Sequence, residues 1–359
     1  MSQRQELRTD LYAAWCPAET PRRSATLAKP IRVLMVTSEW PTQSWAPNHF
    51  IARQATFLRS SGVDVDVFHF HGAKNPINYL KAWVQLRGRL AYVSYDLIHA
   101  QFGQGALLAL PRQLPLVVTF RGSDLQGIIG DFEGRLSRAG KILQRLSKFV
   151  ARYADAVILV SAHMRSLIDE SIPTHVIPSG IDFDLFRCIP QDDARLHLGL
   201  PLNKRLVLFV GRTTEVRKRY ELARRAVEIL NQSLSAELIV GWGFPHKEIP
   251  FLLNACDALV FTSLQEGSPN AVKEALACNL PVVSVAVADV PMRIEGIPGC
   301  EVCADDRPET IASALERVLR RAERIDGRKT VKNLAEDLLT QKLISIYQSV
   351  LKRHQPAKK

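Results

Sequence analysis

Two glutamates, Glu266 and Glu274, stand eight positions apart and are the side chains in this sequence best suited to binding a polyhydroxylated ligand. Between them, Ser268 suits a helix N-cap and Pro269 suits the first helical position, so a helix is predicted to run from here to Ala277. Carboxylates accept hydrogen bonds from hydroxyl groups. The spacing therefore suits a ligand with a sugar near Glu266 and a ribose near Glu274.

The predicted start of this helix is also a candidate anion site. Backbone N–H groups and the positive end of the helix dipole favour phosphate groups at a helix N-terminus. The residues around this end are Gly267, Ser268, Pro269, Asn270 and Ala271. A nucleoside diphosphate sugar would place its diphosphate here and its two hydroxylated ends at the two glutamates.

At these residues the sequence resembles the family-4 retaining glycosyltransferases of GT-B fold. The E-x7-E pair from Glu266 to Glu274 is that family's most specific mark, and the run EGSPNAVKEALACNLPVVS resembles bacterial teichuronic-acid-type and related polysaccharide glycosyltransferases. The resemblance extends from about Ile31 to about Leu351. It implies that Glu266 contacts donor sugar hydroxyls and Glu274 the ribose. The alternative is a capped surface helix with two solvated glutamates.

A basic loop follows the first predicted strand of the second half of the chain. Gly211 and Arg212 match a Gly-Arg pair that the family commonly shows there. The lysine that usually follows fits Lys218 with an offset of one residue, while Arg217 occupies the commoner spacing. We favour Lys218 as the matching cation, and Arg217 remains the alternative. Arg212 and Lys218 would hold a departing diphosphate, because arginine supplies a fork of donors and lysine a compact charge. The alternative is a basic loop before a helix.

The next predicted strand ends in Gly241-Trp242-Gly243. Glycine permits close backbone approach, and the resemblance puts the nucleotide base near this strand end. Many family members carry an additional strand between this point and Glu266. The residues of the base pocket are therefore the ones that the resemblance identifies least directly.

In the first half, the resemblance indicates five positions at the cleft. Asn48 and His49 occupy the place of the family's glycine-containing loop, and asparagine tolerates left-handed geometry. The run TFRGSDL has Arg121 where the family usually has histidine, followed by Asp124. Arginine cannot act as a base but can stabilise negative charge or bind an anionic acceptor. Ser161 matches a further landmark, which we expect to be a structural turn.

Short apolar runs alternate with helical segments along the chain, and this alternation predicts an α/β protein with parallel sheets. The pattern restarts after residue 190, so two Rossmann-like, doubly wound domains are predicted. The resemblance implies a GT-B arrangement in which the two domains face a central cleft. The predicted segments are a disordered leader at 1–30, an N-terminal acceptor domain at 31–190, a C-terminal nucleotide-sugar domain at 191–330 and a final helix crossing back at 331–353.

The composition bounds the function. A hydrophobic content of 47% and a charged content of 23% are those of a globular protein. The net charge of +11 favours acidic partners, such as a nucleotide, lipid headgroups or an anionic polymer. We see no nucleic-acid-binding motif. Cys300 and Cys303 form a lone C-x-x-C, for which two small apolar side chains are a better account than a metal or redox site.

Residues 135–152 have an acid-free basic pattern. One face is predicted to carry the basic residues Arg135, Arg138, Lys141, Arg145, Lys148 and Arg152. The other face is predicted to carry the apolar residues Leu136, Ile142, Leu143, Leu146, Phe149 and Val150. A core-packed helix with a solvated basic face is one interpretation. Docking to anionic lipid or to a charged acceptor is the other.

The sequence therefore predicts a retaining hexosyltransferase that moves a hexose or N-acetylhexosamine from a nucleotide diphosphate sugar to a hydroxyl group. A UDP-sugar is the expected donor. The acceptor is a glycan, a lipid-linked glycan or a small molecule. No cofactor is expected, and no metal, because no D-x-D cluster stands at a strand end. A cytoplasmic location is expected, with peripheral attachment to the membrane left open. The alternatives are an epimerase, a phosphorylase or a catalytically silent nucleotide- or glycan-binding subunit. The sugar, base, acceptor and oligomeric state are not identified.

Overall fold

The computed structural model describes residues 30–41, 49–72 and 75–355. The predicted leader, except its last residue, and Asn48 lie outside these ranges. The strands are β1 (Arg32–Thr37), β2 (Asp64–His69), β3 (Leu97–Gln101), β4 (Leu116–Phe120), β5 (Ala156–Leu159), β6 (Thr174–Val176), β7 (Arg205–Phe209), β8 (Ala236–Val240), β9 (Ala258–Phe261), β10 (Val282–Ser284) and β11 (Glu301–Val302). Short 3-10 helices span Ala162–Leu167, Val216–Lys218, His246–Glu248 and Lys332–Leu334.

Helices alternate with these strands through most of the described chain. They are α1 (His49–Ser60), α2 (Pro76–Tyr92), α3 (Phe102–Leu108), α4 (Ser123–Gln126), α5 (Arg138–Ala151), α6 (Gln191–Leu198), α7 (Tyr220–Leu230), α8 (Ile249–Ala255), α9 (Asn270–Ala277), α10 (Val290–Ile294), α11 (Pro308–Arg321), α12 (Gly327–Thr330) and α13 (Glu336–His354). The predicted α/β class, with two parallel-stranded sheets, is confirmed.

The described residues divide into two units with separate cores. The N-terminal unit contains the described residues up to 130, then 135–180 and 336–355, and the C-terminal unit contains 131–134 and 181–335. Ile181 and Phe186 are buried in the core of the C-terminal unit. The division therefore falls earlier in the chain than residue 190, where the sequence pattern restarts.

The N-terminal unit is built on a sheet whose described strands run in the order β2-β1-β3-β4-β5-β6, and each neighbouring pair is parallel. Strand β1 shows why the sheet is covered on both faces. Leu34 and Val36 belong to one hydrophobic cluster, and Val33 and Met35 belong to the other. Successive side chains of a strand point to opposite faces, so an unbroken apolar run requires two covering layers.

The final helix, α13, packs in the N-terminal unit, where Leu343 and Tyr347 are buried in the same cluster as β1. An ion pair fastens its first turn: Arg53 Nε donates to Glu336 Oε2 at 3.0 Å, and both side chains are buried. Arg53 Nη2 also donates to the carbonyl oxygen of Gly180 at 2.6 Å. A β-carbon on Gly180 would lie 2.6 Å from Glu336 Oε2, so this junction requires glycine.

The C-terminal unit has a sheet whose described strands run in the order β11-β10-β9-β7-β8, again with parallel neighbours. Its central strands β7 and β9 are buried apolar runs. A parallel sheet brings the carboxyl ends of its strands to one edge. The loops that follow β7, β8 and β9 therefore leave the sheet at a common edge, and these loops carry the candidate donor site.

Helix α5 differs from its predicted pattern. It begins at Arg138 and ends at Ala151, within the predicted basic segment. Ser137 caps it by accepting a hydrogen bond from the backbone N–H of Gly140 at 3.0 Å. Ile142 and Phe149, which were predicted on the core-packed face, are exposed. The prediction was wrong for these two side chains because Gly140, Ser147, Val150 and Ala151 form the narrow buried stripe instead.

Candidate functional site

Glu266 and the basic loop after β7 form an ion-pair cluster in the C-terminal unit. Lys218 Nζ donates to Glu266 Oε1 at 2.7 Å, and Arg217 Nη1 donates to the same oxygen at 2.8 Å. Arg217 Nε also donates to Glu215 Oε1 at 2.6 Å. Only 11% of the Glu266 side chain and 13% of the Lys218 side chain are exposed. The two cations left as alternatives by the sequence therefore both reach Glu266.

Backbone contacts between the loop after β7 and the loop after β9 position this cluster. The N–H of Leu264 donates to the carbonyl oxygen of Arg217 at 2.7 Å. Thr262 Oγ1 donates to the carbonyl oxygen of Lys218 at 2.8 Å, and Arg219 Nε donates to the carbonyl oxygen of Thr262 at 2.7 Å. Because these bonds join the main chains on both sides of the ion pair, they limit how far Glu266 and the cations can separate.

Burial and charge oppose each other at Glu266. Burial by itself raises the pKa of this carboxyl group, but the charges of Lys218 and Arg217 outweigh burial and leave the pKa below its usual value. Burial also acts to lower the pKa of Arg217, and the charge of Glu266 reverses this, so its pKa is raised. Glu266 is therefore ionised at neutral pH, and it can accept hydrogen bonds from sugar hydroxyl groups.

Gly211 makes room for the aliphatic chain of Lys218. Its φ angle is +152°, and a β-carbon there would lie 3.1 Å from Lys218 Cγ and 3.3 Å from Lys218 Cδ. The lysine chain then passes Phe261, with Nζ 5.3 Å from the centre of the ring. A β-carbon at position 211 would therefore crowd the Lys218 chain, and the positive φ angle would strain any residue other than glycine.

Arg212 and Trp242 meet at the same edge of the sheet. The guanidinium carbon of Arg212 lies 4.5 Å from the centre of the Trp242 ring. Gly241 precedes the tryptophan, and a β-carbon there would lie 3.2 Å from Leu208 Cδ1. The structure thus brings the predicted residues Gly211, Arg212 and Gly241 to the strand ends that carry Glu266. The contact with Trp242 was missed, because an arginine and a tryptophan far apart in sequence carry no signal of stacking.

The start of helix α9 differs from its prediction. Pro269, not Ser268, is the N-cap, and no side chain makes a capping hydrogen bond. Ser268 Oγ instead donates to Asp289 Oδ2 at 2.8 Å, and Arg293 Nε donates to that same oxygen at 2.7 Å. The predicted cap was wrong because a carboxylate from elsewhere in the fold competes for the hydroxyl group. Asn270 and Ala271 open the helix, and N–H groups of a first helical turn have no intrahelical acceptor.

The rest of the predicted helix is confirmed. Glu274 lies on α9, partly buried, and Asn279 stops the helix with φ +56°. The N–H of Leu280 closes the turn by donating to the carbonyl oxygen of Ala275 at 2.9 Å. Gly267 is buried between Glu266 and the start of the helix. The E-x7-E pair therefore spans a loop and the following helix, with one glutamate before the helix start and one beyond its first turn.

Arg121 is the centre of a polar network in the N-terminal unit. Nε and Nη2 donate to Gln101 Oε1 at 3.0 Å and 2.7 Å, and Nη1 donates to Ser179 Oγ at 2.9 Å. Nη2 also donates to Gln54 Oε1 at 3.2 Å, while the guanidinium carbon lies 4.7 Å from the centre of the Phe50 ring. Burial lowers the pKa of Arg121 to about 10, so it keeps its charge at neutral pH.

Asp124 lies directly beside Arg121 and is buried. Its Oδ1 accepts the backbone N–H groups of Arg121 and Gly122 at 3.1 Å and 2.9 Å. Among the described residues, its Oδ2 has no hydrogen-bond partner. Burial raises the pKa of this carboxyl group to about 6, despite the backbone hydrogen bonds that act to lower it.

Two further buried polar groups lie on β3 and just after β5, two strands of the N-terminal sheet. Ser161 follows β5, is buried, and its Oγ lies 2.9 Å from His163 Nδ1. His99 on β3 is fully buried between Tyr347 Oη, at 2.6 Å, and Thr119 Oγ1, at 2.7 Å. Burial lowers the pKa of His99 to about 3, so its ring is neutral. Of His49 the structure gives only its place as the first residue of α1.

Sequence reasoning did not identify the residues that hold Arg121. Gln54, Gln101 and Ser179 lie on a helix, at a strand end and in a loop after β6. The available signal was the position of Gln101 and Ser179 after parallel strands of one sheet, because such strand ends share an edge. Among the described residues, no group of three or more histidine, cysteine, aspartate or glutamate side chains could hold a metal ion.

Two segments of the chain match models of glycosyltransferase families. Residues 17–185 match Glycosyltransferase Family 4, and residues 238–321 match Glycosyl transferases group 1. A Bacillus subtilis protein, described provisionally as the teichuronic acid biosynthesis glycosyltransferase TuaC, is 30% identical over 220 residues. That alignment covers 54% of this chain and 54% of the relative, so the chain spans about half the length of this relative.

Solved structures share the fold over nearly the whole chain. Sucrose-phosphate synthase from Thermosynechococcus elongatus superposes with a TM-score of 0.76 at 19% identity, covering 90% of this chain and all of that one. HepE of Anabaena, in complex with UDP and glucose, superposes with a TM-score of 0.65 at 16% identity, covering 89% of this chain and all of that one. At these identities the likeness establishes the fold.

Proposed function

We propose that this chain, a family-4 glycosyltransferase with the GT-B fold, transfers a hexose or N-acetylhexosamine from a nucleotide diphosphate sugar to a hydroxyl group, with retention at the anomeric carbon. The observation that carries the proposal is the contact of Glu266 with Lys218 and Arg217, at a sheet edge that also bears Arg212 and the start of α9. This arrangement combines an acceptor of sugar hydroxyl bonds with positive charge for a diphosphate.

The donor would be held by groups of the C-terminal unit. Glu266 orients the sugar hydroxyl groups, and Glu274 accepts a hydrogen bond from the ribose. Arg212, Lys218 and the N–H groups of Asn270 and Ala271 face the diphosphate. UDP-sugar is the first donor to test, because the structurally similar HepE was solved with UDP and glucose.

The proposed reaction breaks the bond between the anomeric carbon and the diphosphate oxygen, and forms a bond from that carbon to the acceptor oxygen on the same face. The proton of the acceptor hydroxyl group passes to the departing diphosphate, and the nucleoside diphosphate leaves. Charge accumulates on the diphosphate as the bond breaks. Preorganised cations and amides that contact it more strongly in the transition state lower the barrier.

The proposal requires no metal ion or cofactor, because basic side chains and a helix terminus can neutralise a diphosphate. The acceptor is a glycan, a lipid-linked glycan or a small molecule. Peripheral contact with an anionic membrane through residues 135–152 and a cytoplasmic location are proposed separately, because sugar transfer itself requires neither. No described helix is both long and apolar enough to cross a membrane.

The test is a panel of UDP-, GDP- and dTDP-sugars. Thermal unfolding identifies which nucleotide sugar binds, since a ligand that binds only the folded state raises the unfolding midpoint. Proton NMR of the product then reads the anomeric configuration. The proposal predicts one stabilising donor and a product with the donor's configuration. An isomerised nucleotide sugar would identify an epimerase, and donor binding without turnover across the acceptor panel would identify a silent binding subunit.

A further inference from the structure

Helix α5 carries large apolar side chains on its exposed side. Ile142 is 66% exposed and Phe149 is 46% exposed, and Tyr153 follows the end of the helix with its ring 5.2 Å from that of Phe149. These positions repeat at intervals of seven and four residues, so they lie in one stripe along the helix. The stripe faces away from the buried side of α5, which Val150 and Ala151 define.

Basic residues border this stripe. Arg138, Lys141, Arg145 and Lys148 are all exposed, and each lies within four residues of Ile142 or Phe149. The segment 138–153 contains no aspartate or glutamate. Exposed apolar side chains flanked by lysine and arginine are typical of a helix that lies in the plane of a membrane interface. A basic helix face that only contacts water would not require a stripe of exposed apolar side chains.

Helix α2 also exposes large apolar side chains. Leu80 is 62% exposed, Ile77 and Val84 are also exposed, and Tyr92 at its end is 92% exposed. Lys81 stands among them, also exposed. Residues 76–92 contain no acidic side chain either.

The two helices cover the same side of the N-terminal sheet. Leu86 of α2 and Val150 of α5 belong to one hydrophobic cluster, and the short helix α3 contacts both α2 and α5. Their exposed sides therefore belong to one surface layer. We call the set Ile77, Leu80, Lys81, Val84, Arg138, Lys141, Ile142, Arg145, Lys148 and Phe149 the docking face.

The charge of the docking face selects its partner. A second copy of this chain would bring one acid-free basic face against another, and like charges repel. A bilayer with anionic lipid offers negative headgroups for the lysine and arginine side chains. It also offers an apolar layer beneath them for isoleucine, leucine and phenylalanine.

We propose that the N-terminal unit docks peripherally on an anionic lipid bilayer through α2 and α5, with Ile142, Phe149 and Leu80 inserted among the headgroups. The docking rests on the proposed function for its purpose, because a lipid-linked acceptor would be met at that surface. Binding to the bilayer itself needs no donor and no acceptor, so it is measured separately from sugar transfer.

The test is sedimentation of the full chain with vesicles of phosphatidylcholine, with and without phosphatidylglycerol. Wild type should bind only the anionic vesicles, and binding should weaken at about 1 M salt, where the screening length falls to about 3 Å. Changing Arg138, Lys141, Arg145 and Lys148 to glutamine should weaken binding several-hundred-fold, since each basic residue near such a surface contributes about fivefold. The matched control changes Lys204, Arg307, Arg321 and Lys329 of the C-terminal unit to glutamine, an equal loss of charge that should leave binding unchanged.

A second pair of variants tests insertion of the apolar stripe. Ile142→Ser with Phe149→Ser should weaken vesicle binding at least tenfold, because each buried methylene is worth about 0.8 kcal/mol, or fourfold. Met292→Ser with Leu338→Ser, also exposed apolar residues, should leave it unchanged. Wild type that ignores anionic vesicles, or equal losses in target and control variants, would overturn the proposal. So would a dimer in solution that Ile142→Ser with Phe149→Ser dissociates, because the partner is then a second copy.

Donor consumption, measured without vesicles in the same variants, separates this proposal from the proposed function. Vesicle binding without any consumption of a nucleotide sugar would support docking and overturn the proposed sugar transfer. Consumption of donor without vesicle binding would support sugar transfer and overturn docking.

Discussion

Lys218 Nζ lies 2.7 Å from Glu266 Oε1, although 47 residues separate the two in the chain. The contact joins the loop after β7 to the loop after β9. It keeps the carboxylate ionised in a buried position, because the charge of the lysine offsets the cost of burial. A contact between one carboxylate and two cations also means that the effects of changing these residues will not add.

Lys218→Met should shift the pH profile of transfer. The variant removes one of the two charges that lower the pKa of Glu266, while burial continues to raise it, so this pKa should rise. Transfer that needs ionised Glu266 is lost as the pH falls through its pKa. The acidic limb of kcat/KM should therefore move to higher pH in Lys218→Met, and it should stay in place in the exposed control Arg225→Met. An unmoved limb in Lys218→Met would contradict the assigned role of the ion pair.

Alanine variants should distinguish the two cations that contact Glu266. Lys218→Ala and Arg212→Ala should lower turnover more than they lower affinity for the uncharged nucleoside, because the diphosphate gains charge as its bond breaks. Turnover and nucleoside affinity are measured for each variant beside Arg217→Ala. Severe loss in Arg217→Ala with normal turnover in Lys218→Ala would assign the phosphate-binding role to Arg217.

Arg121→Ala should destabilise the protein by about 1–3 kcal/mol, because the buried Gln101 and the half-buried Gln54 and Ser179 would lose a charged donor. Chemical denaturation gives the free energy of unfolding, and the exposed Arg145→Ala is the control, with an expected change under about 0.5 kcal/mol. Equal stability of Arg121→Ala and wild type would show that the Arg121 network does not stabilise the fold.

Asp124 should make the protein less stable as the pH rises. Its folded-state pKa of about 6 exceeds its ordinary value of 3.8, so between these values the folded state holds a proton that the unfolded state has released. Stability therefore falls from about pH 4 to about pH 6, by roughly 3 kcal/mol at most. Asp124→Asn should lose this part of the pH dependence when thermal unfolding is followed at both pH values. An unchanged difference between the two would contradict the raised pKa.

EDTA should leave sugar transfer intact. The proposed neutralisation of the diphosphate uses Arg212, Lys218 and the start of α9, and none of these is a metal ligand. The measurement is donor turnover before and after chelation. Complete loss of turnover that Mg²⁺ or Mn²⁺ restores would show that the reaction needs a metal ion.

The sequence predicted those features that depend on local pattern. Apolar runs such as β1 become central strands because both of their faces are buried, and Asn279 stops α9 because asparagine accepts a left-handed backbone. Glu266 and its two candidate cations could be located from spacing and resemblance. Features that depend on distant partners were not predicted: Asp289 takes the hydroxyl group of Ser268 away from capping, and Gln101 holds Arg121.

Helix α5 shows a different limit of prediction. Its alternation of basic and apolar residues correctly indicated a helix, but it did not indicate how wide the buried stripe would be. Gly140 and Ser147 let the helix approach its neighbours closely: a β-carbon on Gly140 would lie 2.3 Å from the carbonyl oxygen of Ile128. Small residues therefore fill the contact, and Ile142 and Phe149 are left exposed.

The central claim is that Glu266 accepts hydrogen bonds from the sugar hydroxyl groups of a nucleotide diphosphate donor. Turnover of the donor identified by thermal shift, together with affinity for the free nucleoside diphosphate, tests it in wild type and in Glu266→Gln. We expect Glu266→Gln to keep nucleotide affinity but to lose roughly 2–4 kcal/mol of transition-state stabilisation, since the variant keeps the shape of the side chain and removes its charge. Wild-type turnover in Glu266→Gln would contradict it.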